Sequence, residues 1–187
     1  MDSKAIEQAI KDLLIAIGED VEREGLKDTP KRVSRMYAEI FSGLGKDSRP
    51  ILKTHFDSEN YNNIILVSQI PFYTMCEHHL LPFFGTADVA YIAGDNGVLG
   101  LSKLARLVDV YAKRPQMQER LTTQIATDLM DVAQAKGAFC RIQARHFCME
   151  MRGVQKAGAQ TITQCFLGEM AEPQRKVEIL DMLPRID

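Results

Sequence analysis

The chain lacks a cationic excess: 23 Lys and Arg stand against 25 Asp and Glu, a formal net charge of −2. A protein that relies on nonspecific attraction to a polyphosphate backbone usually carries a marked positive balance, so nucleic acid is not an expected partner. A small anion needs only a local cluster of cations. No apolar run is long enough to span a bilayer, and Met1-Asp2-Ser3-Lys4 is not a basic segment leading into one, so no membrane partner is expected and the expected address is cytoplasmic. Repeats of solenoid period and low-complexity tracts are missing as well. Cysteine and histidine are scarce, at four each. Without an export signal, Cys76, Cys140, Cys148 and Cys165 are expected as reduced thiols or metal ligands rather than as disulfides. The 187 residues, 45% of them hydrophobic, suffice for one good core and are few for two domains, so the chain reads as a single folding unit.

What is present begins with helical periodicity. Ile6, Ile10, Leu13, Leu14 and Ile17 share one face, and Gly18 is a plausible stop. Asp28-Thr29-Pro30 supplies a capping residue and a proline for the first turn of a second helix, whose apolar positions Val33, Met36, Tyr37, Ile40 and Phe41 run up to Gly43. Residues 1–43 therefore read as a helical arm, and 44–61, rich in Gly, Pro, Asp, Ser and Asn without periodicity, as a linker. A core over 62–170 follows. Strands are expected at Ile64 to Val67 and Thr86 to Ile92, with a chain reversal at Gly94-Asp95-Asn96-Gly97 before Val98. Ser102 caps a helix bearing Leu104, Leu107, Val108 and Tyr111, ended near Pro115; another runs from about Met117 through Leu121, Ile125 and Leu129 to Gly137. Strands from Ala138 to Met151 and from about Thr161 to Glu169 close the core, and 171–187 reads as a tail. The fold class is α+β, with the order β-β-α-α-β-β behind the arm.

The strongest chemical signal is Cys76-Glu77-His78-His79, a thiolate and an imidazole three positions apart, close enough to grip one metal. His146-Phe147-Cys148 comes seventy residues later in what reads as an alternating strand, where side chains return to one face every second residue, so both groups are expected to face one site. Cys140 and Cys165 read instead as small buried hydrophobes. Sulfur and imidazole from Cys76, His79 and Cys148 suit zinc, and three protein ligands leave a fourth position for water, a catalytic arrangement. The competing reading is a closed structural site completed by His78, His146 or Cys140.

Gly100-Leu101-Ser102-Lys103-Leu104-Ala105-Arg106 puts two cations at the first turn of a helix, where free N–H groups and the dipole favour anions; a merely solvated face is the alternative. Gln118 and Glu119 open the next helix. A carboxylate there suits the dipole, and Glu119 equally suits two N–H donors of a guanine edge. Arg152, four residues after Cys148, reads either as a phosphate-binding side chain or as a surface arginine.

Taken together, Cys76-Glu77-His78-His79-Leu80-Leu81-Pro82-Phe83, the Gly100–Arg106 segment, Gln116-Met117-Gln118-Glu119-Arg120-Leu121 and His146-Phe147-Cys148-Met149-Glu150-Met151-Arg152-Gly153 resemble the motifs of GTP cyclohydrolase I, as does Glu24-Gly25-Leu26-Lys27-Asp28-Thr29-Pro30-Lys31-Arg32-Val33 in the arm. The resemblance implies a tunnelling fold with an antiparallel sheet, whose copies join into a ring, usually a decamer of two pentamers with active sites between subunits. It implies one zinc per subunit on Cys76, His79 and Cys148, hydrolysis of GTP at C8 of guanine, release of formate and formation of 7,8-dihydroneopterin triphosphate. His146 would protonate N7, and His78 would act as acid or base at the ribose. Glu119 and Gln118 would hold the guanine edge with Ser102 nearby, and Lys103, Arg106, Arg152 and Arg32 would surround the triphosphate. Thr86-Ala87-Asp88 and Thr161-Ile162-Thr163-Gln164 depart from the family's usual run without touching a proposed ligand.

Overall fold

Residues 1–57 and 61–184 are described by a computed structural model, and their contacts divide the chain into Met1–Ser42 and Gly43–Asp187. In the first unit, helix α1 spans Ser3–Ala16 and begins where the Asp2 side chain accepts the Ala5 N–H at 3.0 Å. Gly18 follows with φ +89°. Helix α2 spans Thr29–Ile40, with Pro30 in its first turn. Asp28, read as a side-chain cap, makes no such bond: its backbone (φ −99°, ψ 1°) is not in the extended conformation that aims a capping carboxylate at the next N–H groups. Ser34 ties the two helices by donating to the Ser3 carbonyl at 3.1 Å.

The second unit is organised by a five-stranded sheet of order β5-β2-β3-β6-β7. Strand β1 (His55–Phe56) lies outside it and pairs with β4 (Val98–Leu99). Strands β2 (Ile64–Cys76), β3 (Pro82–Ile92), β6 (Gly137–His146) and β7 (Gln160–Gly168) are antiparallel neighbours, and short β5 (Pro115–Gln116) joins the end of β2 in parallel. The expected β-β-α-α-β-β order is present, because helices α4 (Ser102–Ala112) and α5 (Gln118–Asp131) separate the two strand pairs. Leu104, Leu107 and Val108 of α4 and Leu121, Ile125 and Leu129 of α5 pack on Phe72, Val89, Cys140 and Ile142. A second cluster gathers Ile64, Ala90, Ile92, Phe139, Met170 and Ile179. Strand β6 is buried continuously from Gly137 to Ile142, Arg141 included, whose charge is met by Asp88. Cys140 and Cys165 are cross-strand partners within this packing, and burial pushes both thiols up in pKa.

Several boundaries move. The first core strand does not stop at Val67: a bulge between Val67 and Ile70, with Gln69 at φ +54°, resets the register, and Ile70, Phe72, Thr74 and Cys76 then alternate inward. The bulge is pinned from within. Gln69 N–H donates to Asp88 Oδ1 at 2.9 Å, while Arg141 donates to Asp88 Oδ2 through Nε at 2.8 Å and Nη2 at 2.7 Å. Pro71 disguised the continuation, and it is tolerated because β5 joins β2 only from Met75 onward. The segment read as a linker holds helix α3 (Arg49–Leu52) and β1, with Leu52 fully buried; elements of four and two residues are too short to show a period. Gly97, φ +88°, closes the expected reversal, where a Cβ would meet the Phe56 carbonyl at 2.1 Å. Residues 58–60 of that linker and 185–187 of the tail lie outside the described residues. Much of the tail is folded: helix α7 (Pro173–Met182) supplies Ile179 to the second cluster, next to Met170 from a 3-10 turn (Glu169–Ala171) at the end of the expected core. Among the described residues, no helix is long and apolar enough to cross a membrane.

Candidate functional site

The site begins where β2 runs out. Cys76 N–H donates to the Leu81 carbonyl at 2.9 Å and Leu80 N–H returns to the Cys76 carbonyl at 2.8 Å, a tight reversal that Leu80 completes at φ +51°. The turn brings His79 Nδ1 to 3.9 Å from Cys76 Sγ. Glu77 anchors it twice: its N–H donates to the Gln116 carbonyl at 3.0 Å, and its carboxylate takes Arg120 Nη1 at 2.5 Å and Nη2 at 2.7 Å. Arg120 holds the Glu77 carboxyl below its ordinary range. Neither residue carried a role in the sequence reading, although both stand inside the quoted motifs.

Strand β3 carries the second half of the site to the first. Pro82 pairs with Met75 of β2 and the adjacent Phe83 pairs with His146 of β6, so both strand ends meet at one end of the sheet. Here the alternating-strand expectation fails. Strand β6 ends at His146, and Cys148 lies in a helical turn, α6 (Phe147–Glu150), closed by Met151 N–H to the Phe147 carbonyl at 3.1 Å. Arg145 clamps the turn by donating to Glu150 through Nε at 2.8 Å and Nη2 at 2.6 Å. Because the chain coils after its last ladder pair, His146 and Cys148 are not directed by strand alternation; Cys148 reaches Cys76 and His79 while His146 bonds elsewhere.

The ligand atoms of Cys76, His79 and Cys148 all lie within 4.8 Å of one another, a group that can hold a metal ion. Tetrahedral zinc with bonds of about 2.0–2.3 Å separates its ligands by roughly 3.5 Å, so a small contraction suffices. The donor set fits that ion: two sulfurs, one imidazole, and among the described residues no fourth His, Cys, Asp or Glu in the group. Burial, and then the neighbouring Cys76, raise the Cys148 thiol, the penalty that a bound cation reverses. Arg152 Nη1 stands 3.3 Å from His79 Nε2, at the edge of the group.

His78 is exposed on the same turn, its Nε2 3.9 Å from Glu77 Oε1. His146 is half-buried, stacked on Phe83 with centroids 4.5 Å apart and planes within 6°, and its Nε2 lies 2.7 Å from Gln118 Oε1. Burial lowers the imidazole pKa, and Glu119 opposes the shift. Glu119 is exposed in the first turn of α5, whereas Gln118 is buried at 2% exposure. Ser102 is the first residue of α4 and makes no side-chain cap; with Lys103 and Arg106 it stands on a helix start that, among the described residues, shows no hydrogen bond to the turns carrying Cys76, His79 and Cys148. Arg32 belongs to the first unit, where Nη2 donates to the Gly25 carbonyl at 3.0 Å and to Thr29 Oγ1 at 3.3 Å.

Comparison with known proteins adds an independent line. The family model described as GTP cyclohydrolase I matches residues 6–183. The protein named GTP cyclohydrolase 1 of Carboxydothermus hydrogenoformans is 54% identical over 171 residues, covering 91% of this chain and 88% of that one. The Streptococcus mutans protein of the same name is 51% identical, covering 97% and 95%, and that of Lysinibacillus sphaericus is 49% identical, covering 98% and 97%. A solved structure described as the archaeosine synthase QueF-Like in the apo form overlaps 56% of this chain and 93% of its own at TM-score 0.44 and 14% identity, and that likeness has no part in the assignment. Sequence shared at about half of all positions over nearly the full length, and a family model that ends only where α7 does, place this chain in the GTP cyclohydrolase I family.

Proposed function

We propose that this protein hydrolyses GTP at C8 of the guanine ring, releasing formate and forming 7,8-dihydroneopterin triphosphate for folate or tetrahydrobiopterin synthesis. The observation that carries the reading is the convergence of Cys76, His79 and Cys148, from two turns seventy residues apart, within 4.8 Å. Cys76, His79 and Cys148 would hold zinc, which would supply Lewis acidity and make water a nucleophile near neutral pH.

The remaining work belongs to side chains of this chain. His146, two residues before Cys148 and held by Gln118 and Phe83, donates a proton to N7, which makes C8 electrophilic. His78, exposed on the metal turn, serves the ribose as acid or base once the imidazole ring has opened. Glu119 accepts the N–H donors of the guanine edge, with Ser102 nearby, and Lys103, Arg106, Arg152 and Arg32 neutralise the triphosphate. A slightly negative chain thereby binds a polyanion through local cations.

These groups complete one another in an assembly of copies, a decamer of two pentamers with sites between subunits. The support is physical: β7 is an open sheet edge, and α1 buries none of its residues although it is apolar at helical spacing. The enzyme works in the cytoplasm.

The test is to incubate the purified protein with GTP, with and without a zinc chelator, while following formate and the fluorescence of the oxidised pterin. Equal formate and pterin, lost on chelation, support the reading. A zinc-replete protein that releases neither overturns it, and equal turnover of ATP removes the guanine specificity assigned to Glu119.

A further inference from the structure

Gln118 sits at the first turn of α5, where a glutamine is ordinarily solvated, yet it is 2% exposed and every polar atom of its side chain is engaged. Its Nε2 donates to the Ile142 carbonyl at 3.1 Å, the Thr161 carbonyl at 2.9 Å and Thr163 Oγ1 at 3.2 Å. Two of these partners are backbone carbonyls, which only accept. The amide therefore has one possible orientation, whatever rotamer is drawn: nitrogen towards β6 and β7, oxygen outward. Thr122, whose hydroxyl donates to the Gln118 carbonyl at 2.8 Å and lies 2.6 Å from Thr163 Oγ1, closes the network around it.

The outward Oε1 meets His146 Nε2 at 2.7 Å. An amide oxygen cannot donate, so the imidazole nitrogen facing it carries hydrogen in the neutral ring and in the cation alike. Phe83, stacked on the ring with planes within 6°, prevents the tilt that would release the bond. We propose that Gln118 is a positioning residue that holds His146 as the Nε2–H tautomer and leaves Nδ1 as the one ring nitrogen able to exchange a proton with substrate. This rests on the reading of His146 as the acid at the purine, and it takes Gln118 off the guanine edge. Proton transfer to N7 breaks the Nδ1–H bond and returns the ring to the neutral Nε2–H form, the tautomer the amide already selects.

The deciding measurement is a two-dimensional ¹⁵N–¹H correlation of imidazole signals in the zinc-loaded wild-type protein, at a pH where His146 is neutral, with His146→Gln for assignment. A single Nε2–H tautomer is expected; an Nδ1–H ring or a mixture overturns the proposal, and neither result depends on turnover. Gln118→Met keeps the shape and removes the bond. It is expected to lower kcat for GTP about 100-fold, the usual cost of a misplaced reacting group, with KM little changed and zinc content intact. A raised KM at unchanged kcat puts Gln118 on the substrate and overturns the proposal. If the wild-type protein does not act on GTP, the proposed function falls, and the tautomer alone decides the part played by Gln118.

Discussion

Arg145 and Glu150 face each other across the corner where β6 becomes α6, joined by two parallel hydrogen bonds of 2.8 and 2.6 Å. A bidentate pair fixes direction as well as distance. Its consequence is the placement of Cys148, which rides on the turn that the pair holds closed. Glu77 and Arg120 do the same for Cys76 and His79 on the facing turn. Each half of the metal group is thus tethered by an arginine outside it, and both arginines pull a carboxyl below its usual range.

Replacing Arg145 by alanine is expected to weaken zinc binding about 10–100-fold, the common effect of losing an outer partner of a ligand-bearing turn. Competition with a chromophoric chelator measures it. Arg145→Lys, which keeps the charge and loses the fork, should recover only part of the affinity; full recovery would show that charge alone suffices.

Cys148→Ser should abolish both zinc retention and GTP turnover, whereas Cys165→Ser should change neither. The reason is placement: Cys148 belongs to the metal group, while Cys165 pairs with Cys140 across β6 and β7. Metal analysis of the two purified variants decides between them, and zinc loss in the second alone would move the ligand set.

Asp88→Ala should destabilise the fold by about 3–5 kcal/mol, since it leaves the Arg141 guanidinium buried without its partner and removes the acceptor for the bulge N–H at Gln69. Urea unfolding gives the number. A loss below about 1 kcal/mol would mean that water or another group takes the place of the carboxylate.

Tyr111 supplies the pH dependence. Its phenol is pushed up to about 12, first by burial and then by its hydrogen bond to Asp128, 2.6 Å away. The folded value lies above the unfolded value of 10, so the stability linked to this group is fully present below pH 10 and is lost as pH rises towards about 12. Tyr111→Phe should therefore be less stable than wild type at neutral pH and show a shallower decline over that alkaline window. Identical slopes in urea midpoints would remove Tyr111 from the alkaline response.

How much of this was legible beforehand depends on the range over which each feature acts. The helices carry their apolar residues at a period the eye can count, and Gly94 to Gly97 announces its own reversal. Cys76 and His79 were legible as partners because three residues of chain already bring them together. The long second half of β2 was hidden because one bulged residue shifts the alternation and Pro71 imitates a strand end, and the pin that makes the bulge tolerable, Asp88 with Arg141, comes from two other strands.

By itself, then, the sequence determined the β-β-α-α-β-β order of the core, the donor chemistry and the pairing of Cys76 with His79, all properties of local period, residue type and short spacing. Only the tertiary structure decided how Cys148 arrives, since strand alternation gives the wrong route and the β2–β3–β6 pairing with the α6 turn gives the right one. It also decided the surroundings of Gln118. Two residues at the start of one helix look equivalent in the chain, yet β6 and β7 bury the Gln118 amide against their carbonyls and leave Glu119 in solvent, because which side of a helix faces a sheet is settled by packing and not by position in sequence.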